Sequence, residues 1–130
     1  MLVTFSRMQP GQTKHEIVEI LRQEEVQRGL LFEYCLITAG ASLNRAPSDQ
    51  RLKEGDIVSL DSGGNYHGYI GDLCRMGILG DPSAELEGAL AVVDEIQHAA
   101  RVPIKNGAVG GDIFAATHRL TSVSREGRLS

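Results

Sequence analysis

The sequence predicts an α+β protein in which helices flank an antiparallel sheet. Segments with helical periodicity lie on both sides of three strand-like runs, and only a few turn residues join the last two runs. A connection this short permits an antiparallel hairpin but not a parallel crossover. The 130 residues suit one domain, because 42% hydrophobic and 23% charged residues are typical of a globular chain.

A capping box predicts where the first long helix begins. Thr13 is followed three residues later by Glu16, the pattern in which each side chain satisfies an orphan backbone donor. Apolar residues such as Ile17 and Leu21 then repeat on one side, and Gly29 is suited to a left-handed stop. We therefore expect an amphipathic helix between Thr13 and Gly29.

Three strands are predicted after this helix. The run "LLFEYCLITAG" is short, apolar and β-branched, which predicts a strand from about Leu30 to Thr38. The segment "ASLNRAPSDQRLKEGD" has the composition of a long functional loop. The runs "DIVSLDSGG" and "HGYIGDLCRMGIL" should then form a hairpin.

Two further helices are predicted in the last third of the chain. Asp81 and Pro82 form a cap and first-turn pair before a run with helical periodicity. Asp112 should cap the last helix, which is expected to fade into the polar tail "SVSREGRLS".

The hairpin carries two aspartates that raise a physical question. A turn at Tyr66 and His67 would place Asp61 directly opposite Asp72, where like charges destabilise a sheet. A divalent cation would compensate, because hard cations prefer carboxylate oxygens. The alternative is that Asp61 ends a strand, Asp72 lies on a solvated face, and the neighbouring glycines only permit the turn. A slip of one residue would put the aspartates on opposite faces.

Charge and composition limit the other functional classes. The net charge of −4 and the pI near 5.5 provide no basic face, so we expect no nucleic-acid partner. No apolar run approaches the ~20 residues of a membrane span, and no signal peptide is recognisable. We interpret the chain as cytoplasmic, with Cys35 and Cys74 as two buried thiols or, alternatively, a disulfide.

The segment "LKEGDIVSLDSGGNYHGYIGDLCRMGILG" closely resembles the pita-bread metallopeptidases, the family of methionine aminopeptidase, aminopeptidase P, prolidase and creatinase. Their pattern is roughly G-D-x-V-x-x-D-x-G followed by G-Y-x-x-D-x-x-R. Flanking segments agree, including "MQPGQTKHEI", "RAPSDQRLKEGD" and "IKNG", in which Asn106 replaces a proline. The Xaa-Pro peptidase branch is the most similar. The resemblance implies an incomplete pita-bread fold over residues 1–130.

The resemblance also implies a set of site residues. Asp61 would chelate one of two divalent metal ions, which are Mn, Co, Fe or Zn in the family, and Asp72 would bridge both. Arg75 would orient the metal-site carboxylates, and Asn44 lies where the family often places a substrate-contacting histidine. The substrate in the full-length family is a peptide.

The remaining family ligands have no counterpart in these 130 residues. The family uses a histidine from a "G-H-G-x-G" segment and two glutamates further along, one of which shuttles the proton. With two aspartates alone we expect weak metal binding and little catalysis, so we assign no catalytic residue. A non-catalytic module that binds peptide or protein, and a creatinase-like C–N hydrolase, remain alternatives. A separated half of a larger core should expose apolar surface, and so dimerise, aggregate or be only marginally folded.

Overall fold

The computed structural model describes residues 1–126, which fall into two compact units. The first unit is Met1–Asp81, and the second begins at Pro82. The first contains helices α1 (Leu2–Ser6) and α2 (Lys14–Gln27) and strands β1 (Leu31–Ala39), β2 (Ile57–Tyr66) and β3 (Tyr69–Ile78). The second contains helices α3 (Ala84–Arg101) and α4 (Gly110–Glu126). The predicted elements are therefore present, and only the short α1 was not anticipated.

The predicted capping box begins α2. The Thr13 hydroxyl accepts a hydrogen bond from the backbone N–H of Glu16 at 3.1 Å, and the Glu16 carboxylate accepts one from the backbone N–H of Thr13 at 2.6 Å. Two orphan donors of the first turn are satisfied in this way. The pKa of the Glu16 carboxyl is lowered, first of all by the hydrogen bond from the Thr13 backbone.

The strands form an antiparallel sheet in the order β1-β2-β3, and α2 covers one of its faces. We call this the α2 face. Its centre is a cluster of fully buried side chains that joins helix and sheet: Ile17, Leu21, Ile37, Val58 and Leu60. Because side chains alternate along a strand, the residues between them point to the other face. We call that the aspartate face, and it carries Tyr34, Leu36, Ser59, Asp61, Asp72, Cys74 and Met76.

The hairpin turn lies one residue later than the sequence predicted. His67 and Gly68 form the two-residue connection between Tyr66 and Tyr69, with φ of 51° and 89°. Positive φ at both positions is the type I′ geometry, which matches the twist of a hairpin. The Asn65 side chain supports the turn by accepting a hydrogen bond from the Gly68 N–H at 2.9 Å. The predicted direct pairing of Asp61 with Asp72 is therefore wrong.

Both later helices begin at other residues than predicted. Ser83, and not Asp81, is the N-cap of α3, where its hydroxyl accepts a hydrogen bond from the Leu86 N–H at 3.2 Å. Asp112 lies in the first turn of α4, where its charge suits the helix dipole. Helix α4 continues through Glu126, further than the predicted fading at the tail suggests. Residues 127–130 of that tail lie outside the described residues.

The cysteines differ from the expectation of two buried thiols. Cys35 is buried on the α2 face, whereas Cys74 is exposed on the aspartate face. Both are free thiols, and their positions on opposite faces exclude the alternative of a disulfide in this structure.

Strand β3 is an edge strand with exposed apolar side chains. Tyr69 is 82% exposed, Ile70 71%, Met76 67% and Leu73 44%. An uncovered edge of this kind offers unpaired backbone groups beside apolar surface, which favours association with other chains. Among residues 1–126, no helix is both long and apolar enough to cross a bilayer.

Candidate metal centre

Asp61 and Asp72 lie on the same face of two neighbouring strands. Asp61 pairs with Cys74, and Asp72 pairs with Gly63, which is two residues from Asp61 along β2. The aspartates are thus diagonal neighbours, and diagonal neighbours have Cα atoms about 7–8 Å apart. Two carboxylates at that separation can reach toward a common point above the sheet.

The Asp61 carboxylate is held by Arg45. The Arg45 guanidinium donates to Oδ2 of Asp61 in an ion pair, with 57% of the Arg45 side chain exposed and 22% of the Asp61 side chain. The guanidinium therefore supplies positive charge where a metal ligand was predicted. It is a cation from the chain itself, in the place where the sequence predicts a metal cation.

The backbone of the loop before β2 fixes the position of Arg45. Its carbonyl accepts a hydrogen bond from the Ile37 N–H at 2.8 Å, so the loop runs beside the outer edge of β1. The buried Lys14 donates its Nζ to the Asn44 carbonyl at 2.6 Å. Burial lowers the pKa of Lys14. Between these anchors the Arg45 side chain reaches over β1, where Leu36 pairs with Asp61.

Tyr34 contacts the second carboxylate. The Asp72 carboxylate raises the pKa of the Tyr34 phenol, first of all through hydrogen bonding and then through its charge. The ring lies directly over Gly63, the pairing partner of both Tyr34 and Asp72. A Cβ atom at Gly63 would lie 2.9 Å from Cδ1 of the ring and still closer to Cε1. Glycine at this position therefore makes the Tyr34–Asp72 contact possible.

The predicted role of Arg75 does not agree with its position. Arg75 pairs with Leu60 and so lies on the α2 face, on the opposite side of the sheet from both aspartates. Its guanidinium donates to the carbonyl of Cys74 at 2.7 Å. The three-residue spacing between Asp72 and Arg75 explains this, because residues an odd number apart in a strand point to opposite faces.

Asn44 also contacts neither carboxylate. Its Oδ1 accepts a hydrogen bond from the Ala46 N–H at 2.9 Å, and its own N–H donates to the Ser42 hydroxyl at 3.3 Å. Asn44 thus shapes the loop, while the next residue reaches the site. The residues near the aspartates that the sequence did not predict are Arg45 and Tyr34. Their only signal is position: Arg45 adjoins the predicted Asn44, and Tyr34 lies in the strand before the hairpin.

The donor chemistry fits part of a divalent metal site. Two carboxylates on one face are the oxygen ligands that hard cations prefer, and Asp61 already binds a cationic group. No three His, Cys, Asp or Glu side chains form a metal-holding group within residues 1–118, whose side chains the structure describes. The described part of the chain therefore offers two candidate carboxylate ligands and not a closed coordination shell.

Comparison with known proteins agrees with this fold. A probable dipeptidase PepE of Mycobacterium tuberculosis H37Rv is 30% identical over a 112-residue alignment that covers 82% of this chain and 30% of the relative. The X-Pro aminopeptidase from Thermotoga maritima MSB8 superposes with a TM-score of 0.85 at 24% identity, covering 95% of this chain and 36% of that one. The Xaa-Pro dipeptidase from Bacillus anthracis gives 0.83 at 26% identity, with 95% and 36% covered.

The fold is that of the pita-bread peptidases, as the sequence resemblance implied. A model described as metallopeptidase family M24 matches residues 1–127, and the chain belongs to this family. The chain spans about a third of the length of the relatives to which it is compared.

Proposed function

We propose that this chain provides the two aspartate ligands of a dinuclear metal centre in a peptidase that cleaves beside proline. The observation that carries the proposal is the placement of Asp61 and Asp72 on one face of adjacent strands. The choice of substrate is supported by relatives that are named X-Pro aminopeptidase and Xaa-Pro dipeptidase.

Each residue has a distinct part in this proposal. Asp61 and Asp72 would together hold the metal ions through their carboxylate oxygens. When bound, such metals lower the pKa of a water molecule and polarise the scissile carbonyl. Tyr34 would hold the Asp72 carboxylate through its hydroxyl, and Gly63 leaves the space that the Tyr34 ring fills. The remaining ligands and the proton shuttle would come from outside these residues.

Metal binding tests the proposal directly. Manganese chloride is added to the purified chain, and free Mn²⁺ is followed by its paramagnetic resonance signal. We expect weak binding that both Asp61→Asn and Asp72→Asn remove. Asp94→Asn is the matched control, because Asp94 is an exposed carboxylate on α3 in the other unit. Binding that survives both aspartate substitutions would refute the proposed centre.

Catalysis by the isolated chain is a separate test. We expect little turnover of Xaa-Pro dipeptides with added manganese or cobalt, because two carboxylates cannot complete the site. Robust turnover that a chelator abolishes would show that this chain holds a complete centre.

A further inference from the structure

We propose that Arg45 competes with the metal for Asp61, so that this arginine lowers the metal affinity of the site. The inference rests on the proposed metal centre and adds a residue that tunes it. It comes from the ion pair between the Arg45 guanidinium and Oδ2 of Asp61. A carboxylate oxygen that accepts this hydrogen bond cannot offer the same lone pair to a metal ion.

The arginine is held in position before any metal arrives. The hydrogen bond from the Ile37 N–H to the Arg45 carbonyl and that from Lys14 Nζ to the Asn44 carbonyl fix the adjoining backbone. Only the side chain must be ordered to form the ion pair, so the entropic cost of pairing is reduced. Chelation of a metal ion through both oxygens of Asp61 therefore requires the guanidinium to leave Oδ2, which reduces the apparent affinity.

Asp72 has a weaker counterpart in Tyr34. A phenol hydroxyl donates one hydrogen bond but carries no charge, so it competes less with a divalent ion than a guanidinium does. The two carboxylates are consequently unequal in the metal-free chain. The release of Asp61 from Arg45 is therefore the step that limits metal binding.

The size of the effect follows from the exposure of the pair. Exposed ion pairs contribute little, so the substitution Arg45→Ala should tighten Mn²⁺ binding by roughly two- to fivefold. Arg45→Lys keeps the charge but loses the planar guanidinium group. Its Mn²⁺ affinity should therefore lie between those of the wild type and Arg45→Ala. Arg22→Ala is the matched control. It removes the same charge from a similarly exposed ion pair, in this case with Glu19 on α2, and should leave Mn²⁺ affinity unchanged.

A second readout follows the arginine itself. Diamagnetic Mg²⁺ is titrated into the chain while the Nε–Hε resonance of Arg45 is recorded by NMR. Because Asp61→Asn removes the charged partner, that variant gives the chemical shift of the Arg45 resonance when the side chain is released. We expect Mg²⁺ to shift the wild-type resonance toward this position, since coupling between two binding events is reciprocal.

The outcomes separate this proposal from the proposed function. Tighter Mn²⁺ binding in Arg45→Ala with unchanged binding in Arg22→Ala supports competition, as does binding that is measurable in Arg45→Ala alone. If Arg45→Ala binds as the wild type or more weakly, while Asp61→Asn and Asp72→Asn lose binding, competition is refuted and the metal centre stands. If Mn²⁺ binding survives both aspartate substitutions, or no variant binds Mn²⁺, both proposals fail.

Discussion

Asp72 lies opposite Gly63 and not opposite Asp61, so the two aspartates are separated by two residues along β2 and share one face of the sheet. A register shift of two residues preserves the face of every side chain, whereas a shift of one would reverse it. The diagonal arrangement avoids direct opposition of like charges. It also leaves Gly63 between the aspartates, where the Tyr34 ring lies.

The first prediction concerns the turn that sets this register. Gly68 has φ of 89°, so Gly68→Ala should cost about 1–2 kcal/mol of unfolding free energy. His67→Asn should be neutral or stabilising, because Asn-Gly suits a type I′ turn. Urea denaturation measures both changes. Gly71→Ala is the control, since a Cβ there meets only the Gly64 carbonyl at 3.9 Å. Equal losses at Gly68 and Gly71 would contradict the turn geometry.

The hairpin also shows what the sequence could and could not predict. The runs that became β2 and β3 were recognisable from their composition, because β-branched and apolar residues are bounded by glycines. The register was not, since a histidine at positive φ is uncommon and the Asn-Gly or Asp-Gly signal is absent. The prediction that Asp61 and Asp72 share a face was nevertheless correct. Moving the turn by one residue shifts the pairing register by two residues, which leaves every side chain on its face.

The contacts of the two aspartates lay beyond sequence reasoning for another reason. Arg45 reaches Asp61 from a loop, and Tyr34 reaches Asp72 from β1. Neither contact has a periodic or motif signal, because both depend on how separate segments pack. Arg75 shows the reverse case: its motif match suggested a role at the carboxylates, but strand alternation places it on the other face.

The second prediction concerns the close approach at Gly63. Gly63→Ala should destabilise the chain by roughly 1–3 kcal/mol, because the new methyl group would overlap the Tyr34 ring. The cost should fall when Tyr34→Ala is present as well, giving a coupling of about 0.5–3 kcal/mol in a double-mutant cycle. Denaturation of the four proteins measures it. Additive losses would show that the ring does not lie over Gly63.

The third prediction concerns thiol reactivity. Burial raises the pKa of Cys35 to about 12, so its thiol stays protonated at neutral pH, and only the thiolate reacts. Ellman's reagent should therefore label one thiol in the native chain and two in urea. The Cys74→Ser variant, in its native state, should not react with Ellman's reagent. Equal reactivity of both thiols in the native wild type would contradict the assignment of Cys35 to the α2 face.

The fourth prediction concerns association through β3. The exposed Ile70 lies on this edge strand, so the purified chain should be larger than its 14.1 kDa monomer in size-exclusion chromatography with light scattering. Ile70→Lys should shift the population toward monomer. Leu43→Lys, which makes the same change at a 90% exposed loop residue, should not. A monodisperse wild-type monomer would refute association through this edge.

The most direct test of the central claim is to locate a bound metal relative to the two faces of the sheet. Manganese is added to methyl-labelled chain, and paramagnetic broadening is compared between faces, since it falls steeply with distance from the metal. We predict that the methyl groups of Leu36 and Met76, on the aspartate face, broaden more than those of Ile37 and Leu60, on the α2 face. Asp61→Asn and Asp72→Asn should each abolish the difference. Equal broadening on both faces, or broadening that survives both substitutions, would contradict a metal centre built on these two aspartates.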